Sequence, residues 1–403
     1  MTTEQKLQIT ATVPILKEHG VALTTYFYNR MFEGNPELKN VFNVGNQDNG
    51  KQQTALALAV LAYAEHINNP SVLMPVLDRI GHKHVSLDIR PEHYAIVGHH
   101  LLASIQEVLG DAATPEIMEA WGLAYNQLAG IMSNHEADLY HTQVTEPNGW
   151  SGWRAFVVKD KKQESAEIIS FALYPADGGK VRLHHAGQYI SIKVFLPELN
   201  LIQARQYSLS SVPNENYYRI SVKRERGLEP DANGLISNYL HDFINEGDRI
   251  EITSPAGNFT LQKDTEHPVV FMSGGVGLTP FMSMLHHLVE EKSQRKISWF
   301  HGCRNKAVHA FEDDLNYLVA QNMNIEQFIF YSDGDRQNDH ESIYQGYVDI
   351  NQIRDLSLNP DAHYYICGPT PFINKQFADL KHAGVQKENI FFEEFGPQSL
   401  NFN

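Results

Sequence analysis

The hydrophobic period of this chain changes twice, and that limits its fold more than any single motif does. Up to about residue 143 apolar residues recur at helical spacing; Leu73, Leu77 and Ile80, for example, share one helix face. From Trp153 the period shortens, and residues 166–174, 188–194, 205–211, 217–224 and 249–253 read as short strands separated by Gly, Pro, Asn and Asp. Closely spaced strands of that kind suit a small antiparallel barrel. After Pro255-Ala256-Gly257 the pattern alternates: a strand at 268–272, a helix at 280–291, a strand at 296–301 and a helix from about Ala310. Such alternation implies a parallel sheet with helices on its faces. The turn-rich stretch Thr145-Glu146-Pro147-Asn148-Gly149 marks the first boundary. The expectation is a multidomain chain: an all-α domain at 1–143, an antiparallel β-barrel at 150–257 and an α/β parallel-sheet domain at 258–403. A chain of 403 residues is too long for one core.

Composition excludes several classes. With 48 acidic against 32 basic residues and a net charge of -16, neither nucleic acid nor an anionic membrane surface is a suitable main partner. Two cysteines cannot build a disulfide framework, the first ten residues are polar, and no apolar stretch reaches transmembrane length. These features point to an acidic cytoplasmic enzyme with no obligatory protein partner. The apolar run at 55–64 is too short to span a bilayer and is expected to form a helix buried on all sides.

In the helical part, His84 closes the stripe of Leu73, Leu77 and Ile80 at steps of four, three and four residues. An imidazole on a buried face needs a partner, which is either a hydrogen-bonding core group or a metal. His82 lies about 200° round the same helix, beside Asp78 and Arg79, so only one of the two can face a pocket, and the stripe selects His84. Other residues suit such a pocket: Tyr28 in an aromatic helix, Phe42 after a turn containing Pro36, and Gln52 one turn before Leu56. Pro91 opens a helix carrying Tyr94, and a long helix from Pro115 runs through Trp121, Leu128 and Met132 to Glu136. A phenol and a carboxylate can therefore approach the imidazole.

Two further signals lie downstream. Arg205-Gln206-Tyr207-Ser208 combines a guanidinium suited to phosphate, a ring able to cover a planar cofactor and a hydroxyl; the same tetrapeptide also suits an ordinary strand. Tyr189 precedes it, and Gly234-Leu235-Ile236-Ser237-Asn238 opens a helix after a loop, a geometry that can hold pyrophosphate. Ser273-Gly274-Gly275-Val276-Gly277-Leu278-Thr279-Pro280 follows a strand directly. Its glycines admit a pyrophosphate, although it lacks the final Gly of the dinucleotide fingerprint.

Residues 1 to about 140 resemble the globin domain of flavohaemoglobins, through Phe27-Tyr28-Asn29-Arg30-Met31-Phe32, Asn35-Pro36-Glu37-Leu38, Val41-Phe42-Asn43, His82-Lys83-His84 and Tyr94-Ala95-Ile96-Val97-Gly98. The remainder resembles the ferredoxin-reductase family, whose nicotinamide loop also ends in Pro. The resemblance implies one haem b with His84 as axial ligand, Tyr94 and Glu136 bonded behind it, and Tyr28, Gln52 and Leu56 on the distal side. Phe42 and Lys83 fall among the cofactor-contacting positions. It implies one FAD held by Tyr189, Arg205, Gln206, Tyr207, Ser208 and Ser237. NADH or NADPH would lie at Ser273, Gly274, Gly275, Val276, Gly277, Leu278 and Cys367. The segment Glu393, Glu394, Phe395, Gly396, Pro397 would pack by the flavin, with Glu394 where the family pattern has Cys.

A nicotinamide delivers two electrons as hydride and a haem iron accepts one at a time, so a flavin between them is required. The implied activity is that of a nitric oxide dioxygenase using NAD(P)H and O2, with room for a lipid or other hydrophobic ligand in the distal pocket. The rival readings are an oxygen-binding or sensing protein and a flavin-dependent reductase of ferric, quinone or hydroperoxide substrates. Arg304 and Lys306, after the strand at 296–301, read either as solvated loop cations or as contacts for a 2′-phosphate.

Overall fold

The computed structural model describes residues 1–42, 50–227, 234–263, 265–333, 342–353 and 358–395. Helices α1 (Thr3–Ala11), α2 (Val13–Gly34), α3 (Lys51–Glu65), α4 (Met74–Ser86), α5 (Pro91–Leu109) and α6 (Pro115–Thr145) form the N-terminal part. Helix α4 begins at Met74, with Pro75 in its first turn; Val72 and Leu73 lie in the 3-10 turn Pro70–Leu73 ahead of it. The expected stripe is therefore one turn shorter than its periodicity suggested. Helix α3 is not buried on all sides, since Leu58 is 46% exposed while Ala57, Val60, Tyr63 and Ala64 are buried. Ala and Leu alternate round that helix, and only one flank meets α2; apolar composition alone could not reveal the open flank.

Packing then sets where the side chains meet. A Cβ at Gly81 of α4 would lie 2.7 Å from the His135 ring, so glycine there lets α6 approach the helix that carries His84. That approach brings Glu136, the neighbour of His135, alongside.

Strands β1 (Trp153–Gln163), β2 (Ile168–Pro175), β3 (Tyr189–Leu196), β4 (Leu201–Ser208), β5 (Tyr218–Lys223) and β6 (Arg249–Thr253) make one antiparallel sheet of order β4-β3-β6-β1-β2-β5. A bridge between Leu209 and Ile220 links its two edges, so the sheet curls round the core of Phe156, Phe171, Ile190, Ile192 and Tyr218. The strand expected at 205–211 instead spans Leu201–Ser208, because its partner β3 holds it in register from Leu196↔Leu201 to Tyr189↔Ser208. Helix α7 (Leu235–Phe243) lies against this barrel.

The C-terminal sheet is parallel, of order β10-β9-β8-β7-β11-β12. Its strands are β7 (Val269–Gly274), β8 (Ile297–Cys303), β9 (Ile325–Tyr331), β10 (Ile343–Gln345), β11 (His363–Gly368) and β12 (Ile390–Glu394). Helices α8 (Thr279–Glu290), α9 (Glu312–Gln321) and α10 (Thr370–His382) connect them. The strand order reverses beside β7, which pairs with β8 on one side and β11 on the other. A ligand of such a sheet sits at the carboxyl ends of the strands at that reversal.

Candidate functional site

His84 lies in the last turn of α4, and its Nδ1 is 2.6 Å from Glu136 Oε1 and 3.0 Å from the Tyr94 hydroxyl. The Tyr94 hydroxyl donates to the same carboxylate oxygen at 2.6 Å. Burial, reinforced by the Glu136 charge, pushes the Tyr94 phenol well above its usual pKa, so it remains a donor. Tyr125 fixes Tyr94 in turn by donating to its backbone carbonyl at 2.6 Å. Glu136 is 2% exposed, yet the His84 side chain keeps 33% of its surface. With Nδ1 occupied, Nε2 is the nitrogen left to bind iron, and the arrangement of carboxylate, histidine and metal recurs at metal centres. The donor set fits a haem iron.

His82 takes the other side, as the helix-face argument requires. Its Nδ1 accepts from the Gly257 N–H at 3.1 Å, and its Nε2 is 3.8 Å from Asp78. Within the helical core the Tyr28 ring meets Phe42 edge-on at 5.9 Å and stacks on Phe32 at 5.9 Å. Leu56 packs against that cluster, and Gln52 is half-buried one turn before it. The adjacent Gln53 is buried, and its backbone carbonyl accepts from the Thr24 hydroxyl.

On the barrel, pairing puts Tyr189 opposite Ser208 and Ile190 opposite Tyr207. Alternation along β4 sends Arg205 and Tyr207 to one face and Gln206 and Ser208 to the other. The Tyr207 hydroxyl is buried without a hydrogen-bond partner, and the Arg205 guanidinium has none among the described residues. A buried orphan phenol beside a half-buried cation fits a phosphorylated, ring-bearing cofactor. Gln206, on the same face as Ser208, donates through Nε2 to Ser86 Oγ at 3.4 Å. Ser237, in the first turn of α7, accepts from the Glu225 N–H at 3.3 Å and donates to the Gly234 carbonyl at 3.1 Å.

The glycine loop follows β7 as a 3-10 turn, Gly275–Leu278, that leads into α8. A Cβ at Gly277 would sit 2.2 Å from the Cys367 carbonyl, so only glycine allows this loop to approach β11. The loop therefore fits a pyrophosphate through its backbone. The side chains of Ser273 and Cys367 are turned into the interior. Ser273 is fully buried, with Oγ donating to the Phe300 carbonyl at 3.2 Å and lying 2.9 Å from His301 Nδ1. Cys367 is buried in the core beneath the sheet, which raises its thiol pKa. Both residues are spent on packing because they sit opposite each other on paired strands, with side chains between the layers.

At the end of β12, burial raises Glu393 to about 7 against the lowering charges of Lys83 and Arg79. Lys83 is itself lowered by burial. Glu394 accepts from the Thr370 hydroxyl at 2.7 Å, so the departure from the family pattern is accommodated by a polar neighbour. Phe395 is exposed, and Gly396 and Pro397 lie outside the described residues. Arg304 is paired with Glu167, and Lys306 with Glu312 at 3.3 Å, so both cations already have carboxylate partners. This favours the reading of Arg304 and Lys306 as structural charges. Sequence reasoning missed Ser86, Tyr125 and Asp78, whose partners lie on other elements.

A helical domain with a carboxylate-bonded histidine, an antiparallel barrel and a parallel-sheet nucleotide domain define a globin fused to a flavin and nicotinamide reductase. Family models agree: Globin matches residues 25–132, the Oxidoreductase FAD-binding domain 155–261 and the Oxidoreductase NAD-binding domain 271–377. The chain belongs to the flavohemoprotein family. It is 51% identical over 401 residues to the flavohemoprotein of Bordetella parapertussis, covering 98% of both chains. Among solved structures it is similar to the flavohemoglobin of Malassezia yamatoensis with bound FAD and heme, with a TM-score of 0.86 at 29% identity, covering 98% of this chain and 99% of that one. It is also similar to the FAD/NAD-binding domain of nitric oxide dioxygenase from Vibrio cholerae, with a TM-score of 0.56 at 38% identity, covering 60% of this chain and 99% of that one. Among the described residues, no helix is long and apolar enough to cross a membrane.

Proposed function

We propose that this chain is a nitric oxide dioxygenase that consumes O2 and NADH or NADPH and releases nitrate. The carrying observation is the bonding of His84 Nδ1 to both Glu136 and Tyr94, on a helix whose last turn is fastened to the flavin-type strands. When bound, the nicotinamide would supply hydride, the flavin would divide that electron pair, and the haem iron would be where O2 and nitric oxide react.

His84 would offer Nε2 to the iron while Glu136 and Tyr94 hold its Nδ1 proton, which increases electron donation from the ring. The Tyr28 hydroxyl and the Gln52 amide would donate hydrogen bonds toward O2, and Leu56 would limit access by bulk. The apolar company of Tyr28 and Phe42 suits a hydrophobic ligand on the same side. Arg205 would pair with flavin phosphate, Tyr207 would give its unpartnered hydroxyl a partner, and Ser208 and Tyr189 would border the ring. Backbone N–H groups of the 274–278 loop would hold the nicotinamide pyrophosphate. Lys83 and Glu393 would set the charge between flavin and haem. Units bounded at 1–143, 150–257 and 258–403 would carry the three tasks. A cytoplasmic location belongs to the same reading, supported by the free thiols of Cys303 and Cys367.

A nitric oxide electrode provides the test. Rapid, O2-dependent removal of nitric oxide on addition of NADH, abolished by His84→Ala, is the expected trace. Negligible removal by a haem-replete protein would favour oxygen binding as the role, and full physiological turnover in His84→Ala would favour a flavin reductase.

A further inference from the structure

The last turn of α4 is tied to the barrel at a residue that no sequence pattern marks. Ser86 is fully buried, two positions after His84. Its hydroxyl donates to the Lys83 carbonyl at 2.8 Å and receives an N–H from Gln206 at 3.4 Å, and it adjoins the Tyr189 phenol, whose pKa it lowers against the larger effect of burial. Its carbonyl accepts from the Thr253 hydroxyl at 3.1 Å. A serine hydroxyl has one proton and two lone pairs, so with the proton given to the Lys83 carbonyl it acts as the acceptor for Gln206.

These partners come from three strands of one sheet. Tyr189 lies on β3, which pairs with β4 carrying Gln206 and with β6 carrying Thr253. Two of them, β3 and β4, also carry Tyr189, Arg205, Tyr207 and Ser208, assigned above to the flavin. The Leu87 and Ile89 N–H groups also close on the His84 carbonyl, each at 3.0 Å, so the backbone around Ser86 is continuous with that of His84. One turn and a half earlier the helix is tied a second time. There the Asp78 carboxylate accepts from His135 at 2.9 Å and from Asn258, and Gly257 donates to His82. His84 thus lies between two fastenings, and only the Ser86 fastening is made by side chains of the flavin-type strands.

We propose that Ser86 is a positioning residue that couples the flavin strands to the turn bearing His84, so that binding of FAD orders that turn and holds it for electron transfer. The electron-transfer half of this inference rests on the function proposed above; the ordering half does not. The relevant step moves one electron from flavin, reduced by NADH, to ferric iron, which becomes ferrous.

Amide exchange on the full chain, stripped of FAD and then reloaded, separates the two halves. In the parent protein FAD should slow exchange across residues 83–89, whereas in Ser86→Ala that protection should be lost while protection of β4 persists. In anaerobic stopped flow with NADH, the ratio of haem reduction rate to flavin reduction rate should fall about tenfold in the variant, as expected when a part-buried donor loses its acceptor. Equal FAD-dependent protection in parent and Ser86→Ala overturns the proposal. Haem in the parent that NADH never reduces would instead refute the electron-transfer reading and leave the exchange result to stand. If Ser86→Ala fails to load FAD, Thr253→Val, which cuts the tie to the Ser86 carbonyl, is measured in its place against the same criterion.

Discussion

Replacing Glu136 with Gln isolates the charge behind His84 from the geometry around it. The amide keeps the shape and an oxygen that can still accept at 2.6 Å from His84 and from Tyr94, so the loss is electrostatic. A hydrogen bond to a charged group contributes about 1.5–3 kcal/mol and a neutral one about 0.5–1.5 kcal/mol, which makes the difference roughly 1–1.5 kcal/mol. With His84 as the proposed iron ligand, the carboxylate would favour the imidazole form that donates most strongly to iron and so would stabilise ferric over ferrous haem. Removing the charge should raise the haem midpoint potential by about 40–65 mV, taking about 59 mV for each 1.4 kcal/mol in a one-electron couple. Tyr94→Phe should shift it less, because the Glu136 contact to His84 survives. Spectroelectrochemical titration of the Soret band measures both variants. An unchanged or lowered potential in Glu136→Gln would show that the carboxylate does not act on the iron through His84.

His84→Ala should abolish haem binding while His82→Ala retains it, read from the Soret absorbance of purified protein; the opposite order would refute the helix-face assignment. Tyr28→Phe removes a donor worth roughly 1–3 kcal/mol, so O2 should dissociate about ten- to a hundredfold faster in flash photolysis, with flavin reduction unchanged. Glu393 has its pKa raised by burial from 4.5 to about 7, so the folded state holds a proton that the unfolded state releases. Stability from this group is therefore full below about 4.5 and is lost as pH rises to about 7. Glu393→Gln should flatten that part of the denaturation profile, and an unaltered slope would assign it to other groups. Arg304→Ala, which frees Glu167, should change the Michaelis constants for NADH and NADPH by the same factor; a selective loss of NADPH would restore the phosphate contact.

Local sequence determined a good deal here, because period and handedness are properties of neighbouring residues. The switch from helical to alternating spacing located the three kinds of structure. Steps of four and three residues separated His84 from His82, since a helix turns by a constant angle whatever packs against it. The glycine loop was legible because strand, loop and helix are contiguous.

Packing decided the rest. Nothing near residue 84 indicates that Glu136 and Tyr94 share its Nδ1, for that depends on how closely α4, α5 and α6 approach, and so on the missing side chain at Gly81. Helical spacing likewise could not show that Leu58 faces outward, because an Ala- and Leu-rich helix has no polar flank to mark the open side. Ser273 and Cys367 stand in motifs expected to touch nucleotide, yet strand alternation points their side chains into the core. Arg304 finds Glu167 across a domain boundary, and Ser86 finds Tyr189, Gln206 and Thr253 in the same way. Residues more than a hundred positions apart meet only once separate domains dock, and their complementarity leaves no period in either segment.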